Sequence, residues 1–343
     1  MIGPRAFGHE PAAVSAAVGA ILRGFDSAGL AACLKHFPGH GDTRLDSHLA
    51  LPTCEADEPT LLARELRPFR DHPGADAVMS AHVVYPALDP DRPATYSSAI
   101  VRDLLRERVG FSGVCVTDAL EMQGAAAGRT PAEAGAAALD AGCDLLLYAH
   151  WNEEVRRARL ALGDRLVEGA IDRAAFDDAR PRLAAFDRRR PEPGEAELST
   201  PLEALTPPEW SARLERIVER GLLVEGTLAL GPAPGWHVEA PAFAHGEPLA
   251  ADLAAAGLAV GGASPSAQLI AVASRVPLPE AELASLRSRC AARPTVLVGL
   301  QNDAFLARVP EAAVRISASD ATPLTRRVVA RRIASLAREA ARA

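Results

Sequence analysis

Between Lys35 and Pro52 the sequence reads KHFPGHGDTRLDSHLALP. It crowds three histidines, Lys35, Asp42 and Asp46 among glycine and proline. Lys35 is the only lysine among 37 basic residues, so this position selects a compact ammonium over a planar guanidinium. Asp46 stands two residues before His48. A carboxylate that bonds one imidazole nitrogen fixes the tautomer and raises the basicity of the other, which makes Asp46 and His48 a candidate general acid/base pair. Two further readings stay open: a polar surface loop with incidental histidines, and a metal site drawn from His36, His40, Asp42, Asp46 and His48. The spacing matches neither a helical His-x3-His pair nor the common zinc patterns, and no metal or organic cofactor is expected.

Chemistry of this kind needs strands to carry it. Leu30 to Phe37 reads as a buried strand that ends on Lys35 and His36, and Pro38-Gly39 breaks it into a loop. Ala75 to His82 reads as a second strand ending on Ala81-His82. Ser112 to Asp118 is a third, apolar until it closes on Thr117-Asp118, and Cys143 to Tyr148 a fourth. Helices are expected over Ser15–Ala28, Leu61–Arg70, Ser98–Val109, Pro131–Leu139, Glu153–Val167 and Asp172–Phe186. Strand–helix repeats roughly 30 to 40 residues apart are the rhythm of a parallel sheet with crossover helices. Polar residues at the carboxyl ends of several such strands point to a shared site. Asp118 has the alternative reading of a cap for the following helix, and His82 that of a satisfied structural histidine.

The chain holds 343 residues, long enough for two domains, with 48% apolar residues and a formal net charge of −7. The negative balance, with no basic run longer than Arg188-Arg189-Arg190, argues against nucleic acid as a partner. No stretch approaches the length of a membrane span and the N-terminus shows no signal peptide, so a cytoplasmic location is expected. Cys33, Cys54, Cys115, Cys143 and Cys290 are odd in number and lack a Cys-x-x-Cys pair. They read as reduced thiols, buried at Cys33, Cys115 and Cys143. The proline-rich segment 189–209 reads as a linker between a domain over 1–188 and a smaller α/β domain over 210–343. Strands of the latter are expected at Gly226–Gly231, Gln268–Ser274, Thr295–Gln301 and Val314–Ala318, with a terminal helix near Pro323–Arg342.

KHFPGHGDTRLDSHLALP also resembles the signature of glycoside hydrolase family 3, in its β-N-acetylglucosaminidase branch. The resemblance runs from Ile2-Gly-Pro-Arg5-Ala-Phe-Gly8 through Met79-Ser-Ala-His82 and Tyr85-Pro-Ala87 to Val116-Thr-Asp118-Ala-Leu-Glu-Met122, and covers residues 1 to about 190. It implies a retaining enzyme that removes terminal N-acetylglucosamine, notably from peptidoglycan fragments, without a cofactor. It assigns the nucleophile to Asp118 and the acid/base to His48, oriented by Asp46. It gives Arg5, Lys35, His36 and, less firmly, His82 to sugar binding. An imidazole acid/base is neutral after it has donated its proton, so attack by phosphate, and hence phosphorolysis, is a further expectation.

The family's eight-stranded barrel begins upstream of Ile2, whereas four strands are legible here. The expected fold is therefore the C-terminal half of a (β/α)8 TIM-type barrel followed by a smaller α/β sandwich. An upstream start or a truncation would account for this, and the exposed sheet edges lead to an expectation of self-association. The rival readings are a catalytically inactive homologue, a metal-dependent hydrolase and a β-glucosidase of the same family.

Overall fold

The computed structural model describes residues 6–43, 51–126, 128–188, 208–229, 235–240, 248–261, 265–274, 277–318 and 320–341. Arg5, Asp46 and His48 lie outside the described residues, as does most of the expected linker. The chain divides into two compact units, Ala6–Pro193 and Gly194–Ala343.

The first unit is built on a parallel sheet of three strands, β1 (Cys33–Phe37), β2 (Ala77–Ser80) and β5 (Val114–Val116), in the order β1-β2-β5. A short antiparallel pair, β3 (Val84–Tyr85) with β4 (Asp89–Pro93), was not foreseen. Alternation sorts the strand residues between faces. Leu34, Phe37, Val78 and Cys115 join a core with Ile100, Leu104 and Leu105 of the helix Ala99–Arg108. Phe37 is capped edge-on by Phe69 at 5.1 Å between ring centroids, and burying a side chain of that size contributes about 1.5–3 kcal/mol. Cys33 and Lys35 turn to the other face of β1 and are exposed. This corrects the expectation of a buried Cys33; all five cysteines are free.

Two elements depart from the sequence reading. The single helix expected over Leu61–Arg70 is two, Glu58–Ala63 and Arg67–Asp71. Pro68 has no N–H to donate back to the carbonyl of Arg64 and its ring crowds that carbonyl, so the first helix ends there and a second begins at Arg67. The fourth strand is reduced to an isolated bridge between Val116 and Leu145. Backbone bonds still tie it to the neighbouring strand, Leu145 N donating to Cys115 O and Thr117 N to Leu145 O, and Leu147 N donates to the side chain at Thr117 Oγ1 at 2.9 Å. Local signals do set the helix Pro131–Ala141, where Thr130 and Glu133 form a capping box and Gly142 ends the helix at φ 107°.

The second unit carries a five-stranded sheet in the order β6-β10-β9-β8-β7: β6 (Leu223–Gly226), β7 (Trp236–Glu239), β8 (Ala267–Ser274), β9 (Thr295–Gln301) and β10 (Val314–Ser317). All pairings are parallel except β10 with β6. Leu269, Val296, Val298 and Ile316 pack with Leu253, Val329 and Ile333 on one side, while Ile270 and Leu297 pack with Leu283, Leu286 and Phe305 on the other. A sheet covered on both faces explains the uninterrupted apolar runs of β8 and β9. β6 begins earlier than expected. β7 was missed, although Trp236 and Val238 alternate with His237 and Glu239. No helix among the described residues is long and apolar enough to cross a membrane.

Candidate active site

Three parallel strands deliver their polar residues to one end of the sheet. Lys35 and His36 come from β1, whose register against β2 shifts between Lys35 and Phe37. Ser80 closes β2 and His82 follows it. Thr117 and Asp118 follow β5. The structure brings His36 and Asp118 together: His36 Nε2 lies 3.5 Å from Asp118 Oδ2, with the two side chains 12% and 18% exposed. The other carboxylate oxygen, Oδ1, accepts a hydrogen bond from Ala119 N at 2.8 Å. Asp118 is thus fixed on one oxygen, faced by an imidazole on the other, and still reachable from solvent. It caps no helix through this bond, since the next helix starts at Gln123.

His82 occupies a different environment. Its side chain is buried, at 1% exposure. Nδ1 lies 2.8 Å from Thr95 Oγ1 and Nε2 3.1 Å from Ala119 O. Burial pushes its pKa below the ordinary 6.5, against the opposing pull of the Asp118 carboxylate. Both nitrogens are taken by protein partners, so of the two readings of His82 the geometry matches the satisfied one and leaves no ring nitrogen for sugar.

His40, which sequence reasoning left among metal candidates, packs its ring perpendicular to that of His36, with centroids 5.6 Å apart. Its Nδ1 meets Thr43 Oγ1 at 2.8 Å, and the Thr43 hydroxyl is placed to donate to His40 O at 3.1 Å. Asp42 is paired with Arg64 at 2.6 Å. Among the described residues no group of three or more His, Cys, Asp or Glu side chains is arranged to hold a metal ion. Lys35 reaches the same strand end, exposed, on the face opposite the core.

The loop that leaves β1 is held by contacts that no motif announced. Gly39 adopts φ +145°, and its carbonyl accepts the Tyr85 hydroxyl at 2.5 Å. A Cβ at Gly39 would come within 2.5 Å of Glu65 Cβ. Glu65 cannot yield easily, because its side chain is itself buried and bonded to Arg64 at 2.5 Å. Gly39→Ala is therefore expected to destabilise the first unit by about 1–3 kcal/mol through overpacking and backbone strain. A fall in the urea midpoint with unchanged m would show it; an unchanged midpoint would mean that the loop yields freely. Glu121 forms a second tie. Its Oε1 accepts from Ala149 N at 2.6 Å and His150 N at 3.0 Å, joining the loop after β5 to the segment beyond Leu147.

Comparison with known proteins bears on this arrangement. The family description "Glycosyl hydrolase family 3 N terminal domain" matches residues 1–186. A beta-hexosaminidase from Chromobacterium violaceum is 36% identical over 219 residues, covering 61% of either chain. One from Stenotrophomonas maltophilia is 46% identical over 154 residues, covering 43% of this chain and 45% of that one. The chain thus spans less than two thirds of the length of these curated relatives. Among solved structures, a glycoside hydrolase family 3 beta-N-acetylglucosaminidase from Paenibacillus sp. str. FPU-7 is similar over 98% of this chain and 71% of its own, with a TM-score of 0.87 and 30% identity. The beta-glucoside phosphorylase BglX, at 20% identity and a TM-score of 0.81, shares the fold.

Proposed function

The chain belongs to glycosyl hydrolase family 3, and on that premise we propose that it removes terminal β-linked N-acetylglucosamine from glycans, peptidoglycan fragments among them, with retention of configuration. The observation that carries this reading is Asp118, anchored through Ala119 N, faced by His36 and open to solvent at the carboxyl ends of parallel strands. The names of the similar proteins supply the substrate class.

In this reading the Asp118 carboxylate attacks C1 of the sugar and forms a glycosyl ester, while the leaving oxygen takes a proton from His48, oriented by Asp46. Water then attacks C1, gives its proton to His48 and frees Asp118. Lys35, His36 and Arg5 hold the hydroxyl and N-acetyl groups.

The test is release of nitrophenol from 4-nitrophenyl N-acetyl-β-D-glucosaminide, with the β-D-glucoside as control and the first-formed anomer read by proton NMR. Turnover of the first substrate with β-N-acetylglucosamine appearing first is expected. No turnover, preference for the glucoside, or inversion would overturn the reading.

Among the described residues, strand β1 has a hydrogen-bonded neighbour on one side only, and its exposed residues include Cys33 and Lys35. An unpaired edge recruits another strand. We propose a second copy of this chain as its partner, so that sedimentation at micromolar concentration gives a dimer. A monodisperse monomer with cooperative unfolding would refute it.

A further inference from the structure

We propose that His82 is a positioning residue for Asp118, acting through the Ala119 peptide: its ring N–H holds the Ala119 carbonyl, and the Ala119 amide holds the carboxylate. The chain of contacts is continuous. His82 Nε2 lies 3.1 Å from Ala119 O, and Ala119 N donates to Asp118 Oδ1 at 2.8 Å. A carbonyl can only accept, so Nε2 must carry a proton. The opposite nitrogen, Nδ1, faces Thr95 Oγ1 at 2.8 Å, and Thr95 Oγ1 in turn faces Ser80 Oγ at 2.9 Å.

The neutral ring satisfies every member of this set. Ser80 donates to Thr95, Thr95 donates to Nδ1, and Nε2–H donates to Ala119 O. The imidazolium would reverse the Thr95 bond and turn that hydroxyl to Ala81 O at 3.1 Å. Burial opposes that charge; of the charged groups that face the ring, Asp118 favours it and His40 opposes it. A fully buried, neutral, doubly bonded ring is rigid. A peptide clamped at its carbonyl presents its N–H in one direction, and the carboxylate that accepts from it is aimed accordingly. Misplacement of a reacting group by about 1 Å is worth on the order of 10²-fold in rate.

The wiring stands on geometry alone; its consequence for turnover rests on the reading of Asp118 as nucleophile. The experiment separates the two, using the full chain. Nitrogen-15 spectra of labelled histidine are expected to show His82 as the neutral Nε2–H tautomer from pH 8 to below its ordinary pKa of 6.5. The carbon-13 chemical shift of the Asp118 carboxyl at fixed neutral pH is expected to move in His82→Leu and to return toward the parent value in His82→Gln, whose amide N–H can again hold Ala119 O. Where the parent chain turns over substrate, kcat falls on the order of 10-fold in His82→Leu with KM nearly unchanged, and His82→Gln recovers most of it.

Stability supplies a further reading. The unfolded ring binds a proton below pH 6.5 and the folded ring resists it, so stability falls as pH drops below 6.5, and this contribution is absent from His82→Gln. If His82→Leu fails to fold, Thr95→Val takes its place; it removes the donor to Nδ1, and since Ala119 O still requires Nε2–H the tautomer is expected to persist while the loosened ring moves the Asp118 carboxyl signal. An Nδ1–H tautomer, an imidazolium at neutral pH, or an Asp118 carboxyl signal indifferent to both His82 variants would overturn the proposal. An inactive parent with the predicted spectra would overturn the nucleophile reading alone.

Discussion

Asp118→Asn is expected to lower kcat for 4-nitrophenyl N-acetyl-β-D-glucosaminide by a factor on the order of 10⁴ to 10⁶, the range seen when a covalent nucleophile is removed. The substitution is chosen for what it preserves. The amide oxygen of asparagine can still accept from Ala119 N, the bond that sets the side-chain position at 2.8 Å. What disappears is the negative charge and the oxygen that would bond to C1 of the sugar. His36, 3.5 Å from Oδ2, loses a carboxylate partner. Because Asp118 makes a single hydrogen bond to the backbone and remains partly exposed, the urea midpoint is expected to stay close to that of the parent. Steady-state hydrolysis and urea unfolding, measured on the same preparation, separate loss of chemistry from loss of fold. Activity within tenfold of the parent would show that Asp118 is not the nucleophile.

The largest effect on stability is expected at Asp144, which takes no part in the proposed chemistry. Its side chain is 1% exposed. Arg106 reaches Oδ2 at 2.7 Å, Arg182 reaches Oδ1 at 2.8 Å, and Cys115 N donates to Oδ2 at 2.7 Å. One carboxylate thereby joins β5 to the helices Ala99–Arg108 and Arg173–Asp187. The two guanidiniums are themselves largely covered, at 17% and 18% exposure, and cannot simply turn to water. Breaking a buried charged pair by deleting one partner costs about 3–5 kcal/mol, because the surviving charge stays desolvated. Asp144→Ala leaves two cations and an amide N–H in that position, so a loss within this range is expected in urea unfolding followed by circular dichroism. Arg106→Met in the same background should recover part of it, because Arg106 then has no carboxylate partner, whereas Arg182 keeps Asp178 at 2.8 Å. A loss below about 1 kcal/mol would mean that the triad behaves as a surface ion pair.

How much of this could be read without coordinates depends on the range over which each feature is fixed. The helix expected over Pro131–Leu139 spans Pro131–Ala141, its ends set within one turn by Thr130, Glu133 and Gly142. The strand cores β1, β2 and β5 were legible as apolar runs. The rule that polar strand ends share a site was enough to select His36 and Asp118 for one neighbourhood. Their distance was not legible. It follows from parallel pairing, which sets Lys35 beside Met79 and Met79 beside Val116 and so brings two residues far apart in sequence to adjacent strand ends.

The sequence left His82 open between a ligand and a structural residue. The decision belonged to Thr95 and Ala119, which reach it from elsewhere in the chain. Asp144 carried no motif, and its weight comes from two arginines on separate helices. Likewise, nothing local warned that Gly39 must stay a glycine; the reason is Glu65. By itself, then, the sequence determined the α/β class, the positions of most helices and the residue types gathered at the strand ends, because propensity and periodicity act between near neighbours. Only the tertiary structure decided which of those residues face solvent as chemistry and which are sealed as support, because burial and hydrogen-bond partners are supplied by segments distant along the chain.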